Sequence, residues 1–172
     1  MKFMNFLLFV LIANFAFGQE QCVEILLRPE YQGNIALYSD TNKHGVKFLH
    51  NDVAHEDYLA FELLQRTDSF YFVRAFHLID SNSDFGWIRK ADTNLIVYRK
   101  PTKGAFLLFA KPRKIVGPDT HAGTMITRQD PVFTLLDFAP NWVYVREVGK
   151  STVGWLEAST LCIDVYNRCY GN

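Results

Sequence analysis

The feature that most constrains this chain is that part of it is written twice. Residues 61–74 read FELLQRTDSFYFVR and residues 133–146 read FTLLDFAPNWVYVR. They align without a gap, matching Phe61 with Phe133, Leu63 with Leu135, Phe70 with Trp142, Phe72 with Tyr144 and Arg74 with Arg146. The match resumes at Phe85-Gly86-Trp87-Ile88 against Val153-Gly154-Trp155-Leu156, and again at Leu95, Val97 and Tyr98 against Ile163, Val165 and Tyr166. The loop between the first two blocks is four residues longer in the first copy. Two unrelated amphipathic strands share apolar alternation. They do not share a Gly-Trp-apolar step at the same place after an aromatic strand, so one unit has been copied.

Both copies read as strands. Aromatic residues make up 15% of the chain, and aromatic and β-branched side chains fit a pleated surface. Strands are expected near 60–65 and 69–75 in the first copy and near 132–137 and 141–147 in the second. Thr67-Asp68-Ser69 and Ala139-Pro140-Asn141 supply the turns between them. The Gly-Trp strands follow, then short helical turns at 90–94 and 157–160, then closing strands at 95–99 and 161–166. Earlier strands are expected at 23–28, 35–39 and 47–50, and at 105–110 and 124–127. Residues 57–66 carry good helix formers, but their match to the segment after Asp130-Pro131 favours a strand.

The elements Asn141-Trp142-Val143-Tyr144-Val145, Val153-Gly154-Trp155-Leu156 and Leu161 resemble the bacterial SH3 domain family. Ala36-Leu37-Tyr38-Ser39-Asp40 looks like the opening strand of SH3 domains in general. The resemblance covers nearly all of residues 34–167. It implies an all-β fold of two tandem SH3-like small β-barrels. The first would span 19–100 with an extra N-terminal strand, and the second 101–172 with a C-terminal tail. It also implies an attachment or recognition module outside the cytoplasm, recognising a cell-wall polymer or an envelope protein. A reader of proline helices is not implied, because Arg89 and Glu157 stand where that groove needs proline, and Thr41 follows Asp40 where it needs an aromatic. The short segment 99–104, with Pro101 and Gly104, leads to the expectation that the barrels touch.

Residues 1–18 read as a cleaved signal peptide. Lys2 precedes an apolar run from Phe6 to Ala13, and Ala16-Phe17-Gly18 places small residues before Gln19. The run is short of the roughly 20 residues that span a bilayer, so no membrane span is expected after cleavage. Polar Gln19-Glu20-Gln21 before Cys22 argues against lipidation. The expected location is periplasmic or extracellular. There one disulfide is plausible among Cys22, Cys162 and Cys169, with one thiol left over and all pairings open. Eighteen basic and eighteen acidic residues balance, which gives no footprint for nucleic acid.

The expected ligand-binding residues are Tyr38, Tyr58, Phe70 and Trp87 in the first copy and Trp142, Tyr144, Arg146 and Trp155 in the second. The three tryptophans have two readings, as core anchors or as an aromatic floor for sugar or peptide, and core is favoured. No catalytic residues and no cofactor are expected. A cell-wall hydrolase would need a Cys–His pair, and no motif pairs Cys162 with a histidine. His50 and His55, with Asp52, Glu56 and Asp57, form the best metal candidate, but a His spacing of five suits neither a helix face nor a strand face. The segment therefore reads as a solvated loop. A subunit that serves only as scaffold in an envelope assembly is the other alternative.

Overall fold

The computed structural model describes residues 23–80, 82–91, 94–100, 105–112, 123–127 and 132–163. The signal segment, Cys22, Cys169 and most of the 99–104 connection lie outside these residues. The described chain is all-β with antiparallel pairing throughout. Strands β1 (Val23–Leu27), β2 (Ile35–Leu37) and β3 (Lys47–Leu49) lead to a 3₁₀ turn at Val53–His55. A meander follows: β4 (Leu59–Arg66), β5 (Phe70–His77) and β6 (Ser83–Arg89), then β7 (Leu95–Arg99). Next come β8 (Phe106–Phe109), β9 (Gly123–Ile126) and a second meander of β10 (Val132–Ala139), β11 (Trp142–Glu147) and β12 (Val153–Glu157). A 3₁₀ turn at Ala158–Thr160 leads into β13 (Leu161–Cys162). The segment 57–66 is indeed extended, because Leu59, Phe61 and Leu63 alternate inward.

One open sheet runs in the order β6-β5-β4-β1-β7-β10-β11-β12-β8-β9, with β13 added to β7 and a separate pair β2-β3. The two meanders share their irregularity. A bulge falls between Leu63 and Gln65 in β4 and between Leu135 and Asp137 in β10, at aligned positions of the repeat. A bulge re-aims the strand and strengthens its twist, so both meanders bend at the same place.

Strand β7 belongs to both halves. Ile25 faces Phe61 across β1–β4, and Val97 faces Phe133 across β7–β10. On its other edge β7 meets β1 through Leu27 and Leu95, as β13 meets β7 through Leu161 and Arg99. So β7 closes the first meander and opens the second. The structural counterpart of Leu95 is Leu161, two residues before the Ile163 of the sequence alignment. The loop before β13 is correspondingly shorter, which a gap-free text match could not register.

One main core collects the inward faces of both halves, with Phe61 and Phe133 fully buried at its repeat positions. Burying each such ring contributes about 1.5–3 kcal/mol. A smaller cluster of Leu26, Ala60 and Ile96 holds Tyr58, Tyr98 and Ile163 against it. The halves are also bolted at the β10 bulge. Asp137 accepts from Arg66 at 2.6 Å and from Lys90 at 2.9 Å, and the Tyr71 hydroxyl donates to the Leu136 carbonyl at 3.0 Å. Burial alone would raise the Asp137 pKa, but the hydrogen bonds from Lys90, the Phe138 amide and Arg66 outweigh it and hold the carboxyl below the ordinary range. Cys162 is disulfide-bonded, and both other cysteines lie outside the described residues.

Candidate functional site

The Gly-Trp step decides which way its tryptophan points. Strand alternation sends neighbours to opposite faces. Gly86 and Gly154 face inward, and a β-carbon on Gly86 would lie 2.7 Å from both the Leu37 side chain and the Tyr38 carbonyl oxygen. On Gly154 it would lie 2.6 Å from Leu108 Cβ. Each glycine therefore lets a neighbouring strand cross closely. Trp87 and Trp155 are consequently turned to the outer face and half-buried, not placed in the core. Trp142 is buried, at 7% exposure, but it belongs to neither core cluster.

On that outer face the same aromatic group is built twice. In the first half Phe72 packs on Trp87 with ring centres 5.1 Å apart, and Tyr38 meets Phe70 edge-on at 6.2 Å. In the second half Tyr144 packs on Trp155 at 5.1 Å, and Phe109 meets Trp142 edge-on at 5.6 Å. The backbone repeats as well: Tyr38 pairs with Trp87 as Phe109 pairs with Trp155. Of the expected binding residues, Tyr38, Phe70 and Trp87 are brought together, as are Trp142, Tyr144 and Trp155. Tyr58 is not among them, because it packs on the small cluster of Leu26, Ala60 and Ile96.

Two members of these patches, Phe72 and Phe109, were not anticipated. Phe72 was within reach, since residues two apart on a strand share a face. Phe109 comes from β8 and meets its patch only through a long-range strand pairing, for which no local pattern exists.

The charges flanking the patches differ. Arg74 donates to Glu62 at 2.6 Å and lies over the Phe76 ring at 5.1 Å. Arg146, the expected binding residue, stands opposite Thr134 in place of a carboxylate and is exposed. Arg89 pairs with Phe70 beside the first patch and Glu157 with Trp142 beside the second.

A second feature lies in the first half. A cleft of about 240 Å³ opens between β3 and the β5–β6 hairpin, with Phe48, His50, His77, Asp80 and Asp84 among its lining. The candidate metal segment is dispersed around it. His50 lines the cleft, His55 bonds Asp52 at 2.8 Å, and Asp57 turns inward to accept from the amides of Ile79 and Asp80. Among the described residues no three His, Cys, Asp or Glu side chains gather as metal ligands.

The described residues contain no helix long and apolar enough to cross a membrane. No family model, curated protein or solved structure matches this chain, so the doubled aromatic patch itself carries the functional argument.

Proposed function

We propose that this is an exported, non-catalytic binding module of two SH3-like units that holds a repeating cell-wall polymer on its two aromatic patches. The observation that carries this reading is the recurrence of one aromatic group on a shared sheet, in similar geometry, with a buried ring (Phe70 or Trp142) beside a half-buried pair (Phe72 and Trp87, or Tyr144 and Trp155). Aromatic rings with exposed faces offer large contact area at low entropic cost, and sugar rings present C–H faces that stack on them. Two similar patches on one rigid support suit a ligand that repeats, because binding the second becomes intramolecular once the first is bound.

The SH3-like assignment is supported by the meander of three strands, the short 3₁₀ turn at Ala158–Thr160 and the closing strand β13. The secreted setting is supported by the N-terminal sequence pattern and by the oxidised state of Cys162.

Co-sedimentation with purified peptidoglycan tests the reading. The intact protein is expected to pellet with the polymer in moderate salt. Trp87→Ala and Trp155→Ala should each weaken retention roughly tenfold or more, on the scale of one stacking anchor, and the double variant should stay in solution. No retention of the intact protein, or full retention by the double variant, would defeat the reading and leave the scaffold alternative.

A further inference from the structure

We propose that each aromatic patch pairs an arginine with an anionic group beside the ring it holds, so that the ligand is an acidic wall polymer carrying negative charge in its repeat. This rests on the polymer reading above and adds the charge that the polymer must bear.

The first observation is placement. Residues two apart on a strand share a face. Arg89 follows Trp87 by two on β6, and Arg146 follows Tyr144 by two on β11, so both stand on the outer face beside the tilted ring pair of their own half. Arg89 lies opposite Phe70 and so diagonal to Phe72, while Arg146 lies opposite Val153 and so diagonal to Trp155. Diagonal neighbours are roughly 7–8 Å apart, within reach of a long side chain. Both arginines are exposed.

The second observation is that the fold does not use them. Other cations nearby are engaged: Arg74 by Glu62, and Arg66 and Lys90 by Asp137. Among the described residues neither Arg89 nor Arg146 enters an ion pair or a side-chain hydrogen bond. Asp68, in the turn before Phe70, makes no ion pair with Arg89.

The third is the comparison that the repeat allows. Two positions flank each ring pair on the outer face, one at its Arg74 or Arg146 end and one at its Arg89 or Glu157 end. In the first half Arg74 is neutralised and Arg89 is not. In the second half Thr134 stands where Glu62 would hold the guanidinium, so Arg146 is released, and Glu157 replaces Arg89. Both positions have changed, yet each half keeps one unneutralised guanidinium. Glu157 lies opposite Trp142, four residues along β11 from Arg146. That is about 13 Å at the rise of a strand, beyond the screening length of about 8 Å, so it does not cancel Arg146.

A guanidinium is always charged, and its fork of donors fits carboxylate and phosphate alike. A neutral sugar on the rings would leave it without a partner, and a cationic group would be opposed. Acidic wall polymers supply such anions from two sources, the free carboxylates of peptidoglycan and the phosphates of polymers attached to it.

The test uses the full mature chain and three preparations of one peptidoglycan: untreated, stripped of phosphate polymers with hydrofluoric acid, and stripped and then amidated at its carboxyls. Retention should fall at the step that removes the recognised anion, which identifies its source. On untreated polymer Arg89→Gln and Arg146→Gln should each weaken binding roughly threefold, the scale of one exposed ion pair. On the preparation lacking that anion they should change nothing. Lys47→Gln, which removes the same charge elsewhere, should bind like the intact protein. Circular dichroism should report an unchanged fold for all three variants. Equal retention on the three preparations, or arginine variants that bind untreated polymer as well as the intact protein does, would overturn the proposal. If retention then still depended on Trp87 and Trp155, the polymer reading would stand without it. No retention on any preparation would defeat both.

Discussion

The two halves share a backbone plan and diverge in the side chains that surround it. Gly86 and Gly154 occupy the same crossing, the bulges fall at the same step, and each outer face carries one tilted and one edge-on aromatic pair. Around this constant frame the charges change. The residue just past the bulge is Gln65 in the first half and Asp137 in the second, where it clamps Arg66 and Lys90. Glu24 faces Glu62 across β1–β4, whereas Ile96 faces Thr134 across β7–β10. Ala75 is replaced by Glu147. The constant positions are those where sterics leave no choice. The variable ones are where a half meets its neighbour or solvent.

The sharpest way to break this comparison is to fill the crossings. Gly86→Ala and Gly154→Ala should each cost about 1–3 kcal/mol, the range for forcing a methyl into a packed site. Gly154→Ala should be the worse of the two. It meets the β-carbon of Leu108, which is fixed to the backbone, whereas Gly86 meets the movable end of Leu37 as well as a carbonyl. Urea titration measures both, and a cost near zero at either site would remove the steric argument.

Glu147 offers a test of opposite sign. Its carboxylate is sealed from solvent, with the half-exposed Lys150 ammonium 2.7 Å away. Replacing a buried charge with an apolar residue of similar size often stabilises. Glu147→Met should raise the unfolding free energy by about 1 kcal/mol, while Ala75→Glu, the reverse exchange in the first half, should lower it.

The Asp137 clamp sharpens the comparison by pH. Its folded pKa is lowered, so its contribution is fully present above the unfolded aspartate value and is lost as pH falls through the folded one. Asp137→Asn should lower the melting temperature at neutral pH and flatten its fall below about pH 4, near the unfolded aspartate pKa. Gln65→Asn, at the equivalent bulge, should change neither. The smallest effect is expected at Glu24. Burial first, and then the Glu62 carboxylate opposite, push its pKa up. Here the sign is reversed, because ionising Glu24 disfavours the folded state as pH rises. Glu24→Gln should therefore raise the melting temperature slightly at pH 7 and leave it unchanged at pH 4. A loss at pH 7 would contradict this.

What the residues revealed in advance was local. The strands at 59–66 and 132–139, the turns after them and the Gly-Trp strands follow from alternation and turn chemistry, and the gap-free repeat located both meanders. What stayed hidden was set by distant pairing. Strand β7 serves two halves because β1 and β10 lie on its opposite edges, and no pattern within LIVYR announces that. Tyr58 is expected in a groove of the first copy, but it packs half-buried against Leu26, Ala60 and Ile96, which come from three different strands. The tryptophans were weighted toward the core by size. Their strand parity, set by the inward glycines, turned two of them out. The cleft depends on β3 approaching a hairpin that Lys47 meets at Asp84, 37 residues along the chain, and only the packed structure brings them together.

The chain has three tryptophans, each with its own indole N–H signal, and they stand in different positions in the account. If the two outer faces are matched binding surfaces, titrating solubilised peptidoglycan fragments should shift the Trp87 and Trp155 indole resonances together, with buried Trp142 moving less. Fragments that shift Trp142 alone, or that leave both outward indoles unmoved at saturating concentration, would contradict the account.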